Sequence, residues 1–166
     1  MSFFVVLRGP LGAGKTTVAR ALAEALGATY VSIDELLERY PWDGGSEELF
    51  LRTNVDAAKE AQGAFAREVP VVFDGNFYWP STLEDLERRL PHPHVVYALQ
   101  VPLEVCTDRD RRRAASYGAD ATREVYEKVR PVPGEVPLDG TRPPEELVTE
   151  IRSDLDRRGL RAREGK

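Results

Sequence analysis

The sequence predicts an α/β fold, a parallel β-sheet with helices on both of its faces, and three observations carry that reading. Short apolar runs alternate with longer stretches of helical periodicity, the pattern of strands joined by crossover helices. A glycine-rich motif, Gly9-Pro10-Leu11-Gly12-Ala13-Gly14-Lys15-Thr16, fits GxxxxGK[ST] and stands between the first apolar run and the first helical one. Helix-end signals separate the later segments, so the alternation continues through the chain.

In order, Phe3 to Leu7 reads as the first strand and Val18 to Leu26 as the helix after the glycine-rich loop. Thr29 to Ile33 reads as the second strand, and Ser32 with Glu35 beyond it fits a capping box. Val69 to Phe73 is the third, followed by a helix through Leu83, Leu86 and Leu90 whose start is expected at a capping box of Ser81 and Glu84. Val95 to Val101 is the fourth strand and Glu135 to Leu138 the fifth. Pro143-Pro144 opens the last helix, Gly159 lies just past its end, and residues 161–166 are expected to form a flexible tail.

The 166 residues fit one domain, expected over 1–166. A net charge of −5 gives no general attraction to nucleic acid or to an anionic membrane surface. The N-terminal run lacks a basic leader, and no apolar stretch has the length of a membrane span, so a cytoplasmic protein without a membrane partner is expected. The single cysteine, Cys106, excludes an intramolecular disulfide and is expected to be a small buried residue. Oligomeric state has no marker in the sequence.

The glycine-rich motif has its own chemistry. Glycines let a backbone wrap a phosphate, and the N–H groups at the following helix start point at the anion. Gly9, Gly12, Ala13, Gly14, Lys15, Thr16 and Thr17 are therefore the expected nucleotide contacts, with Lys15 reaching the β and γ phosphates and the Thr16 hydroxyl holding magnesium. In an open parallel sheet the ligand lies beyond the carboxyl ends of the strands. Two of the strand exits, at Asp34 and Asp74, put a carboxylate beside the phosphate loop.

The stretch Val71-Val72-Phe73-Asp74-Gly75-Asn76-Phe77 resembles the Asp-Gly segment of adenylate-kinase-like P-loop kinases. Val101-Pro102-Leu103-Glu104-Val105-Cys106, followed by Arg109-Asp110 and Arg112-Arg113, resembles the lid entrance of that group, of which adenylylsulfate kinase and chloramphenicol phosphotransferase are small-molecule members. The resemblance implies a three-layer P-loop NTPase fold with five parallel strands in the order 2-3-1-4-5 and an arginine-rich lid at about 109–125. It implies ATP and Mg2+ as cofactors, Asp34 as general base toward an acceptor hydroxyl, and Asp74 on the magnesium shell. Arg109 is expected near the adenine, Arg112 or Arg113 near the transferred phosphate, and Arg142 in the loop flanking the adenine. Tyr78 stands where adenylate kinase carries an arginine after its Asp-Gly-Phe-Pro run, which disfavours a nucleoside monophosphate acceptor.

Around the acceptor, Tyr40, Trp42, Phe50, Phe77, Tyr78 and Trp79 are expected to wall a pocket, with Asn76 beside them and Arg39 and Arg52 available to an anionic group. An ATP-dependent kinase acting on a small-molecule hydroxyl is the leading expectation. A polynucleotide 5′-hydroxyl kinase shares these residues, but the acidic balance argues against a nucleic-acid partner. A nucleotide-dependent switch is the alternative from a different class.

Overall fold

In the computed structural model, which describes residues 2–162, five parallel strands lie in one sheet in the order β2-β3-β1-β4-β5. The strands are β1 (Phe4–Arg8), β2 (Thr29–Ser32), β3 (Val71–Asp74), β4 (His94–Gln100) and β5 (Val136–Asp139). The helices are α1 (Lys15–Leu26), α2 (Ile33–Leu37), α3 (Glu47–Phe65), α4 (Pro80–Arg89), α5 (Leu103–Arg111), α6 (Ala119–Lys128) and α7 (Pro144–Arg157). Sheet order and parallel direction match the expectation, and every expected strand is present within one or two residues of its bounds.

Period-2 alternation in β1 divides the core. Val5 and Leu7 turn to one face with Tyr97 and Leu99 of β4, where α1 (Val18, Leu22) and α7 (Leu147, Ile151, Leu155) cover them. Phe4 and Val6 turn to the other with Phe73 and Val96, under α3 (Ala57, Ala61, Phe65) and α4 (Leu83, Leu86). Both faces are buried, so the strands read as continuous apolar runs. Small residues on α3, Ala57, Ala58, Ala61 and Ala64, are all buried against the sheet and allow the helix to approach closely.

Register brings the carboxyl ends together: Leu7 pairs with Asp74, Asp74 with Ser32, and Gln100 with Asp139. The second strand ends a residue earlier than expected because Ser32 caps α2, its Oγ accepting the Glu35 N–H at 3.2 Å. The capping box expected at Ser81 and Glu84 is not formed. Pro80 occupies the first helical position, where a fixed φ and a missing N–H cost nothing, so the helix starts before Ser81. The Ser81 hydroxyl donates instead to Glu47 at 2.5 Å. Pro143 and Gly159 bracket α7 as expected. Of the expected tail, Arg161 pairs with Asp156 at 3.4 Å, and residues 163–166 lie outside the described residues. Among the described residues no helix is long and apolar enough to cross a membrane.

Candidate active site

The loop after β1 is shaped by its glycines. Gly14 caps α1 at φ 91°, a left-handed conformation that strains any residue with a Cβ. A Cβ on Gly12 would stand 2.3 Å from the Cys106 carbonyl oxygen, so the loop can lie against α5 only with glycine there. Lys15 is buried and donates through Nζ to the Pro10 carbonyl at 2.8 Å, folding back over the loop. Burial pushes its pKa down, while the charges of Asp74 and Asp34 push it up. Loop residues 11–17, Asp34, Arg109, Arg113, Gly140 and Arg142 line one cleft of about 520 Å³.

Asp34 enters this cleft from the first turn of α2, where the helix N-terminus favours a carboxylate. It remains open to a ligand while protein atoms crowd its carboxyl. Desolvation raises its pKa above the usual carboxylate range, Lys15 opposes that shift, and Asp74 adds to it. Asp74 is buried at the end of β3, and its Oδ2 accepts from Thr16 Oγ1 at 2.8 Å and from Tyr30 Oη at 2.7 Å. A hydroxyl and a carboxylate side by side at the phosphate loop are hard oxygen donors, so Thr16 and Asp74 fit magnesium and its water shell.

The arginines separate into distinct positions. Arg109 donates to the Ala13 carbonyl and to the Gly140 carbonyl, each at 3.0 Å, tying the loop to the exit of β5. Arg113 reaches the cleft. Arg112 does not line it: one helical turn from Asp108, its guanidinium is 77% exposed and pairs with that carboxylate at 2.9 Å. Arg142 lines the cleft with its guanidinium already held by Glu146 and Glu150. The turn between α5 and α6 is organised by buried Asp110, which accepts from Ser116 Oγ at 2.7 Å and from the Tyr117 and Gly118 N–H groups at 3.2 and 3.0 Å.

The expected acceptor wall is only partly assembled. Tyr78 is half-buried, stacked edge-on to Phe50, with its hydroxyl on the Gly45 carbonyl at 3.3 Å. Phe77 instead packs into the core on the α3 and α4 side, because a left-handed backbone at φ 47° turns the chain there. Trp42 is 67% exposed. Arg39 is committed at the surface to Glu60 at 3.0 Å and Asp56 at 3.8 Å, and Arg52 lies over the Tyr40 ring at 5.5 Å. Asn76 is buried with Oδ1 lacking a hydrogen-bond partner among the described residues.

Two residues to which sequence reasoning assigned no role, Tyr30 and the strand-end Arg8, make specific side-chain contacts. Tyr30 looks like any strand aromatic until β3 is placed beside it. Arg8, the last residue of β1, is 1% exposed and forms a buried pair with Glu135 at 2.6 Å, while also donating to the Arg130 and Phe77 carbonyls at 2.8 and 3.0 Å. A cation at the end of a buried strand was the available signal, since such a residue needs a partner. Arg8 lines a second, larger cleft of about 830 Å³ with Pro10, Tyr126, Arg130 and Glu135. That cleft contains neither Lys15 nor Asp34, so size alone does not mark the reactive site.

A family model described as AAA domain matches residues 4–132. A shikimate kinase from Corynebacterium efficiens is 31% identical over 164 residues, which cover 92% of this chain and 96% of that protein. Among solved structures, a gluconokinase from Sinorhizobium meliloti 1021 shares the fold with a TM-score of 0.74 at 21% identity, covering 92% of this chain and 91% of its own. A sugar kinase from Janibacter sp. HTCC2649 does so with a TM-score of 0.77 at 20% identity, covering 94% and 95%.

Proposed function

Starting from a chain that belongs to the AAA-domain family and to the small-molecule P-loop kinases of the adenylate-kinase-like group, we propose how it moves the γ-phosphoryl group of ATP to an acceptor hydroxyl. Phosphoryl transfer asks little covalent chemistry of a protein; it asks for alignment and for cations where charge develops. The observation that carries this reading is the meeting of Lys15, Arg113 and Asp34 in the cleft of the phosphate loop.

In this reading the loop amides and Lys15 grip the phosphates, Lys15 exchanging the Pro10 carbonyl for phosphate oxygens. Thr16, with Asp74 behind it, would hold magnesium, which would supply charge neutralisation to the phosphates. Asp34 takes the proton of the acceptor hydroxyl, and its raised pKa makes it a better base than an ordinary carboxylate. Arg113 faces the transferred group and Arg109 braces the loop on the nucleoside side. Tyr78 and Asn76 border the acceptor. The chain works as one domain over 1–166, with its lid at about 109–125, in the cytoplasm.

The test is magnesium-dependent ATP consumption against a panel of hydroxyl acceptors, with products separated by mass. The panel includes shikimate and gluconate, the acceptors in the relatives' names, and a 5′-hydroxyl oligonucleotide. Gain of one phosphoryl group by a small acceptor is the expected result. Phosphorylation of the oligonucleotide alone would overturn the small-molecule reading, and ATP binding without turnover on any acceptor would favour the switch.

A further inference from the structure

The loop threonine and the β3 carboxylate account for the site as the motif describes it, but Asp74 has a third participant. Tyr30 lies on β2, whose register pairs Ser32 with Asp74 and Tyr30 with Val72. Residues 30 and 32 share one face of the strand, so Tyr30 is the diagonal neighbour of Asp74, a separation that a long aromatic side chain spans. It does so with Oη donating to Asp74 Oδ2 at 2.7 Å. Thr16 Oγ1 donates to the same oxygen at 2.8 Å. Two donors from different elements, α1 and β2, thus fix the carboxylate's rotation through one oxygen.

Tyr30 is itself held in place. The Arg20 guanidinium lies 4.5 Å from its ring centroid, and Arg20 is paired in turn with Glu35 at 3.1 Å. The chain Glu35, Arg20, Tyr30, Asp74, Thr16 therefore runs from α2 through α1 and β2 to the end of β3 and back to the start of α1.

We propose that Tyr30 is a positioning residue for the metal side of the nucleotide site: its hydroxyl holds Asp74 in the orientation in which, with Thr16, it receives the hydrated magnesium of the bound nucleotide. The proposal rests on the reading of Asp74 as the metal-side carboxylate. Thr16 alone leaves the carboxylate one protein donor, and on a side chain that the metal also engages. Tyr30, on β2 and outside the loop, is a second donor that does not itself have to engage the metal. Partners of this kind, one bond behind the ligands, influence metal affinity strongly.

The experiment measures, by calorimetry, the affinity of a hydrolysis-resistant ATP analogue with and without magnesium in the wild type, Tyr30→Phe and Asp74→Asn. The phenylalanine keeps the ring under Arg20 and removes only the hydroxyl. Expected for Tyr30→Phe is a loss of about tenfold in the magnesium-dependent part of the affinity, with the magnesium-free affinity unchanged. Asp74→Asn is expected to lose at least as much. A Tyr30→Phe protein with wild-type magnesium dependence, while Asp74→Asn is impaired, would overturn the role of Tyr30 alone. If Asp74→Asn also retains wild-type magnesium dependence, the reading of Asp74 falls and the proposal with it. Equal losses with and without magnesium in Tyr30→Phe would mean a general loosening of the strand and would equally overturn it. Arg20→Gln provides a second variant that leaves the hydroxyl in place; a smaller shift in the same magnesium-dependent quantity is expected.

Discussion

In the proposed reading two demands coincide at Asp34: the first turn of α2 favours a carboxylate, and an acceptor hydroxyl needs a base. Crowding by protein atoms raises the pKa of that carboxylate, so the folded protein binds its proton more tightly than the unfolded chain does. The charged form is then a cost to stability above the folded-state pKa, and the cost vanishes once the pH drops below both values. Asp34→Asn is expected to raise the melting temperature at neutral pH, with the gain disappearing in acid, while turnover drops by about 10² to 10⁴ and the acidic limb of the pH–rate profile is lost. A neutral melting temperature below wild type would refute the stability cost of the charged form, and unchanged turnover would refute the role of Asp34 as base. The arginines give a second contrast. Arg113 lines the cleft and Arg112 is paired outward with Asp108. Arg113→Ala should reduce kcat roughly a hundredfold, and Arg112→Ala should leave it close to wild type, since a solvent-exposed i,i+4 pair contributes little. Comparable losses in both variants, measured at saturating ATP, would contradict that division.

Among the elements, the segment that returns from α6 to β5 is fastened to the sheet by Arg8. One guanidinium holds the Glu135 carboxylate, the Arg130 carbonyl and the Phe77 carbonyl, joining the end of β1 to the turn after β3 and to the segment between α6 and β5. Its Nε lacks a hydrogen-bond partner among the described residues, so the bonds of the two terminal nitrogens must compensate for burial of the whole group. Removing one partner leaves an uncompensated buried charge. Glu135→Gln should therefore cost about 3 to 5 kcal/mol in urea unfolding, whereas replacing both, Arg8→Met with Glu135→Leu, should recover most of that loss. A double variant as unstable as the single one would show that the pair stabilises by more than mutual neutralisation. At the other end of α6, Asp110 closes the turn onto α5, so the segment containing Arg113 begins from a defined position.

For the whole molecule, what was legible from sequence was what repeats locally. Apolar runs such as Val71 to Phe73 stand out because both faces of a parallel sheet are buried, and the phosphate loop because its glycines and Lys15 adjoin in sequence. The pairs Tyr30–Asp74 and Arg8–Glu135 span 44 and 127 residues and exist only once the strands are ordered. Phe77 had the composition of a pocket wall, and its backbone conformation sends it to the core. The assembled site concentrates charge: Lys15, Arg109, Arg113 and Arg142 surround a cleft whose lining carboxylate is Asp34, with Asp74 buried behind Thr16. Although the chain carries a net charge of −5, this region favours a compact polyanion over a long nucleic acid. A ligand that binds only the folded state at 100 times its Kd stabilises by about 2.7 kcal/mol. For a domain of this size each kcal/mol is worth about 2 to 4 °C. A hydrolysis-resistant ATP analogue with magnesium should thus raise the melting temperature by about 5 to 10 °C, a single-stranded oligonucleotide should not, and Lys15→Ala should abolish most of the shift. A shift that survives Lys15→Ala would place the nucleotide elsewhere than in the loop.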